Sequence, residues 1–226
     1  MAKPKKNPTF TSPKGTFRYP SLTKPDYGNE QFPKANGEFK TQLVLSRDEA
    51  QSLIDQLQPL YKEALAMGEE KYKELKVEQR KKLGGFKAND LFSEIYDQQT
   101  EEPTGDVFFK FATSASGVNQ KGEQWNRKIA LFDAKGKPLN SSTAIWGGTV
   151  GKVSFEAAPY FISGTGAGGL KLYLIAAQVI DLVSGGGRNA GAYGFGEEDG
   201  FEEEETPAKA AGFTDETDGN EEEDDF

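Results

Sequence analysis

The chain has 226 residues, with 27 lysines and arginines against 36 aspartates and glutamates for a net charge of −9, and it contains neither cysteine nor histidine. The two absences exclude a disulfide framework, the usual zinc ligand sets, and the Ser-His-Asp and Cys-His nucleophile arrangements. Carboxylates, lysine and tyrosine are left as catalytic groups, so a binding protein is expected rather than an enzyme.

The opening Met1-Ala2-Lys3-Pro4-Lys5-Lys6 is basic but leads into no apolar stretch, and no segment has the length of a membrane span. A soluble, intracellular protein is the expectation. Residues 16–22 read as a short strand and 37–45 as a second. In the latter, Phe39, Thr41, Leu43 and Leu45 alternate with Glu38, Lys40, Gln42 and Val44, the period of a half-buried strand. Ser46-Arg47-Asp48-Glu49 has the form of a capping box and predicts a helix start. Leu53, Ile54, Leu57, Leu60, Tyr61, Ala64 and Leu65 then form an apolar stripe at helical spacing, with a kink expected at Pro59 because proline lacks the N–H donor. Lysine-rich sequence continues to about Leu83, where Gly84-Gly85 closes a helical insertion over about 46–83.

The second half is β-rich, with strands predicted over 106–113, 125–133, 149–157 and 170–183. Turn chemistry separates them: Ala134-Lys135-Gly136-Lys137-Pro138, Gly147-Gly148, and the loop from Gly164 to Gly169. About six short strands with one inserted helix suit a small barrel or sandwich, because the long crossover helices of a βαβ fold are missing. The expected organisation is a body over 1–183, a Gly-rich hinge over 184–196 and a disordered tail over 197–226.

Charge divides along the same line. Residues 197–226 hold 15 acidic residues and one basic residue, Lys209, a balance of −14 that leaves residues 1–196 at +5. A basic body beside an acidic tail points to a polyanion-binding surface with a segment able to compete for it; the plain alternative is a solvated tail that aids solubility.

Gly164-x-Gly166-x-x-Gly169 matches the dinucleotide fingerprint in form, but the segment after Gly169 alternates like a strand where the motif requires a helix, so a hairpin loop is expected. Gly147-x-x-x-Gly151-Lys152 is one residue short of a phosphate loop, and Val153 stands where the magnesium-binding hydroxyl belongs. The acidic runs at Glu202 to Glu205 and Glu221 to Asp225 supply carboxylates without a fixed oxygen cage. No metal, cofactor or catalytic residue is predicted.

Aromatic and basic residues interleave on the strands, which is what single-stranded nucleic acid requires: flat side chains for exposed bases and cations for phosphates. Trp125, Arg127 and Lys128 supply this at one strand. Lys110, Lys152, Lys171 and Tyr173 alternate with the core-type pairs Phe109 and Phe111, Val153 and Phe155, Leu172 and Leu174. Trp146, Tyr160 and Phe161 fall at strand ends or loops. Each aromatic taken singly reads more readily as core packing, and the pattern as a group is stronger than any member.

Lys24-Pro25-Asp26-Tyr27-Gly28-Asn29-Glu30 closely resembles a segment near the N-terminus of the single-stranded DNA-binding proteins of lytic podophages. Three further features agree in order: Ile129-Ala130-Leu131-Phe132-Asp133-Ala134-Lys135-Gly136-Lys137, the pair Pro159-Tyr160 before a glycine-bearing loop and a long strand, and an acidic tail ending in Asp225-Phe226. The resemblance runs over nearly the whole chain and is weakest over 66–100.

It implies a mainly β, OB-fold-like barrel of five to six strands with an inserted helix, usually dimeric. It further implies a protein that coats single-stranded DNA in the cytoplasm of the infected bacterial host during replication, recombination and repair. By the same resemblance Tyr160 falls on an aromatic implicated in DNA contact. The tail end, Glu223, Asp224, Asp225 and Phe226, becomes the segment that contacts the phage polymerase and primase-helicase and covers the DNA groove. Two other classes compete: a protein-interaction module whose acidic tail mimics DNA, and a carboxylate-dependent nuclease, which needs ordered acids converging in the body.

Overall fold

A computed structural model describes residues 7–184 except 120 and 141. The expected hinge beyond Ser184 and the acidic tail, with Glu223, Asp224, Asp225 and Phe226, lie outside the described residues.

The strands and helices run in chain order as β1 (Thr9–Thr11), β2 (Gly15–Gly28), β3 (Pro33–Ser46), α1 (Arg47–Glu74), α2 (Val77–Leu83), β4 (Lys87–Ala88), β5 (Ser93–Tyr96), β6 (Pro103–Ser114), β7 (Ser116–Val118), β8 (Gln124–Asn126), β9 (Ala130–Phe132), β10 (Val150–Ile162) and β11 (Ala167–Asp181). Five of them close a barrel. β2 pairs with β3, β3 with β6, β6 with β11, β11 with β10, and β10 returns to β2 through Val150↔Thr16 and Gly151↔Gly15. The β6–β11 pairing is parallel and the others are antiparallel, the Greek-key arrangement of an OB-fold.

Alternation along the strands fills the barrel. Phe17, Leu43, Leu45, Phe109, Phe111, Val153, Phe155 and Leu174 are fully buried, and the Phe111 and Phe155 rings meet at 4.8 Å between centroids. Closure depends on a missing side chain. A Cβ at Gly151 would sit 2.3 Å from the Gln178 carbonyl oxygen and 2.6 Å from the Phe17 ring.

α1 starts at the predicted capping box: Glu49 N–H donates to Ser46 Oγ, and the Ser46 backbone N–H donates to the Glu49 carboxylate. Its buried face, Ala50, Leu53, Ile54, Leu57, Ala64 and Gly68, packs against β10 and β11. One continuous helix passes Pro59, which lies on the exposed face, where water reaches the carbonyl whose partner N–H proline lacks.

Several predicted strands differ in extent: β10 runs on from Ala157 to Ile162 and so takes in Tyr160 and Phe161, and β11 begins at Ala167, inside the expected loop. The segment over 125–133 divides, because β8 pairs with β7 in a separate two-stranded sheet whereas β9 pairs in parallel with β11. β2 runs well past Leu22 to Gly28, crossing Pro20 and Pro25 with shifts of register where the ladder accommodates residues that cannot donate.

Candidate nucleic-acid interface

The seam between β6 and β11 is where the barrel face opens. These strands share one register pair, Leu172↔Phe111, while β4 pairs with β11 at Ala167 and Gly168 and β9 pairs with it from Ala176 to Gln178. Side chains pointing outward from both strands therefore border a groove.

At one end a concavity of about 770 Å³ is walled by Phe92, Phe108, Lys110, Tyr160, Lys171 and Tyr173. At the other a concavity of about 590 Å³ is walled by Trp125, Arg127, Lys128, Glu156 and again Tyr173. Tyr173 stands where the two meet.

Within this groove cations sit on aromatic rings. Lys110 Nζ lies 5.5 Å from the Phe108 centroid, Lys171 Nζ 5.1 Å from that of Tyr173, and the Arg127 guanidinium 5.3 Å from that of Trp125. Such pairing is favourable but leaves the charge free to meet an anion. Among the described residues Lys110, Arg127, Lys128 and Lys171 have no carboxylate within 4.0 Å, whereas Lys34 and Lys40 are both held by Asp26.

Packing and hydrogen bonds behind the groove fix its aromatics. Trp125 lies over Gly117, where a Cβ would come within 2.5 Å of its ring. Arg127 donates to the hydroxyl of buried Thr113. Asn89 Nδ2 donates to the Tyr160 hydroxyl at 2.5 Å, and the Asn89 carbonyl accepts from Tyr61 at 3.1 Å. Burial, with Asp90 alongside, raises the Tyr61 phenol and keeps it a donor.

Of the residues singled out from sequence, the groove brings together Lys110, Trp125, Arg127, Lys128, Tyr160, Lys171 and Tyr173. Three lie elsewhere. Phe161 faces the helical insertion, stacked at 6.4 Å on Phe86, whose ring also covers Gly68 of α1. Lys152 is paired in register with Gln178, four residues along β10 from Glu156. Trp146 is half-exposed in the loop before β10, its backbone N–H bonded to the Val183 carbonyl at 2.9 Å.

Sequence reasoning passed over Phe92, Phe108 and Asn89. Phe108 was detectable, since it alternates with buried Phe109 and shares a strand face with Lys110; Phe92 and Asn89 come from the irregular connection after the helices, which has no period to read.

A family model described as the bacteriophage T7 single-stranded DNA-binding protein matches residues 14–182. The chain belongs to this family. It is 29% identical over 191 residues to the single-stranded DNA-binding protein of enterobacteria phage T3, covering 80% of this chain and 79% of that one. It is 28% identical over 187 residues to that of Escherichia phage T7, with 79% and 78% covered. The crystal structure of the T7 protein superposes with a TM-score of 0.63 at 25% identity, covering 87% of this chain and 98% of that chain.

The podophage resemblance read from Lys24 to Glu30 and the later motifs is thereby established at the level of family and fold. The segment has a structural explanation here. The Asp26 carboxylate accepts from the Gly28 N–H at 2.9 Å, from Lys40 at 2.5 Å and from Lys34 at 3.1 Å, which holds its pKa well below the usual carboxylate range. Gly28 has φ of +77°, and a Cβ there would strike the Phe32 carbonyl oxygen at 2.0 Å. Among the described residues no group of three or more acidic side chains is placed to hold a metal ion, and no helix is long and apolar enough to cross a membrane.

Proposed function

We propose that the protein binds single-stranded DNA without catalysis and with little sequence preference, in phage replication and recombination in the cytoplasm of the infected host. The observation that carries this reading is the β6–β11 groove. There Lys110, Lys171 and Arg127, with no carboxylate partner among the described residues, lie directly over Phe108, Tyr173 and Trp125. Stacking accepts any base, because every base has a π-face, and phosphates meet the cations between the rings. Family membership supports the same ligand.

Residues 197–226, with their balance of −14, act as a tethered competitor for the groove. Tethering supplies an effective concentration on the order of millimolar, at which weak ionic contacts suffice. The final Glu223, Asp224, Asp225 and Phe226 recruit the replicative polymerase and primase-helicase, with Phe226 as an apolar anchor. The protein works as a homodimer.

Titration of the full chain and of a chain ending at Gly196 against single-stranded and duplex DNA, over a salt series, tests this reading. Single strands are expected to be preferred, and tail removal to raise that affinity most at low salt, where exposed charges are least screened. Tail removal and Phe226→Ala are both expected to abolish capture of polymerase or helicase. Equal affinity for duplex overturns the ligand assignment; affinity indifferent to tail removal overturns the competition; partner capture that survives both changes overturns recruitment.

A further inference from the structure

A third concavity, of about 410 Å³, adjoins the groove. Its wall is apolar: Leu22, Pro25, Tyr27, Phe39, Leu131 and Leu139. Its rim is shared, because Arg127 and Lys128 line both this concavity and the Trp125 end of the groove. A phosphate held by these two cations would therefore have a base-stacking surface on either side of it.

Tyr27 is the unusual member. It belongs to the hairpin tip that Asp26 fixes through Gly28, Lys34 and Lys40. Its ring lies against Gly37, whose Cβ, if present, would come within 3.0 Å of Cε1, and yet Tyr27 is 61% exposed. One part of the ring is thus supported by backbone and much of the remainder is open. Neither barrel packing nor the groove accounts for an exposed aromatic braced in this way.

We propose that this concavity is a nucleotide subsite: the strand leaves the groove across Arg127 and Lys128 and places one unstacked base against Tyr27, between Pro25 and Leu139. This rests on the single-stranded DNA reading above and adds a station that the groove alone does not contain. The occupant is argued from continuity with the groove and from the two cations at the shared rim. The apolar wall accepts the face of any base, so the subsite lengthens the footprint without selecting sequence.

The test uses the full chain with oligothymidylates that carry 4-thiothymidine at one position, moved along the strand, and maps photo-crosslinks by mass spectrometry. Crosslinks at Tyr27 or Leu139 are expected at one position, next to the one that reaches Trp125. Loss of a single stacked base predicts that Tyr27→Ala weakens binding about tenfold, that the salt slope is unchanged because the charge is the same, and that Tyr27→Phe restores affinity. Parent affinity in Tyr27→Ala overturns the proposal. So do crosslinks confined to Trp125, Tyr160 and Tyr173, even where Tyr27→Ala binds weakly, since that pattern means a disturbed hairpin. Those outcomes leave the groove reading intact, whereas failure of the parent protein to bind oligothymidylate overturns both.

Discussion

Tyr173 occupies the junction of the two groove concavities while the residues on either side of it in β11, Leu172 and Leu174, are buried. Removing its ring therefore removes a stacking surface without opening the core. Tyr173→Ala is expected to weaken single-stranded DNA binding by roughly 1–3 kcal/mol with little change in melting temperature, measured by fluorescence anisotropy and thermal denaturation. Trp146→Ala, in the loop before β10, is expected to leave affinity unchanged in the same assay. Lysines give a different signature. Lys110→Ala and Lys171→Ala each take away one cation proposed to meet a phosphate, and each is expected to flatten the dependence of log affinity on log salt by about 0.7.

Asp26 tests a different kind of residue, one whose charge holds structure. Its folded-state pKa lies below the unfolded value, so its contribution is fully present above about pH 4 and is lost as pH falls through the depressed value. Asp26→Asn is expected to melt below the parent at pH 7, with the gap narrowing under about pH 4. A gap that is constant from about pH 7 to about pH 3 contradicts this assignment.

At the scale of elements, the barrel closes where β10 meets β2 and passes Gly151. Gly151→Ala introduces a methyl group with backbone on one side and the Phe17 ring on the other, and is expected to cost about 1–3 kcal/mol in chemical denaturation. Losing the Ser46 cap of α1 through Ser46→Ala is expected to cost about 1 kcal/mol.

Features with a period or a fixed chemistry were legible in the sequence. The alternation of Phe39 to Leu45 and of Phe109 to Phe111, the capping box, and the helical stripe from Leu53 to Ala64 all became the elements they predict. The length of β2 was obscured: the predicted strand ended at Leu22, short of Pro25, whereas the strand absorbs both Pro20 and Pro25 by shifting register. The split of residues 125–133 between β8 and β9 was not legible, because it is decided by partners elsewhere in the chain, Ser116 to Val118 for one half and Ala176 to Gln178 for the other. At the site, Lys110, Lys171 and Tyr173 fell into the groove where alternation put them. Lys152 alternates in the same way but lies outside it, because alternation gives the face of a strand and not the stretch of barrel that the face covers, and the Phe161 ring is taken by Phe86, which arrives from the helical insertion.

For the molecule as a whole, the path proposed for single-stranded DNA runs along the β6–β11 seam. The seam is open because β11 shares its edge among β4, β6 and β9, so backbone pairing and ligand binding are two uses of the same strand. The most direct measurement is the affinity of the triple variant Lys110→Ala, Lys171→Ala, Tyr173→Ala for an oligothymidylate at low salt, beside its melting temperature. Affinity is expected to fall by at least about a hundredfold, since the proposed stacking partner and two proposed phosphate contacts are gone, while the melting temperature stays close to the parent's because all three side chains point outward. A folded triple variant that binds like the parent would contradict it.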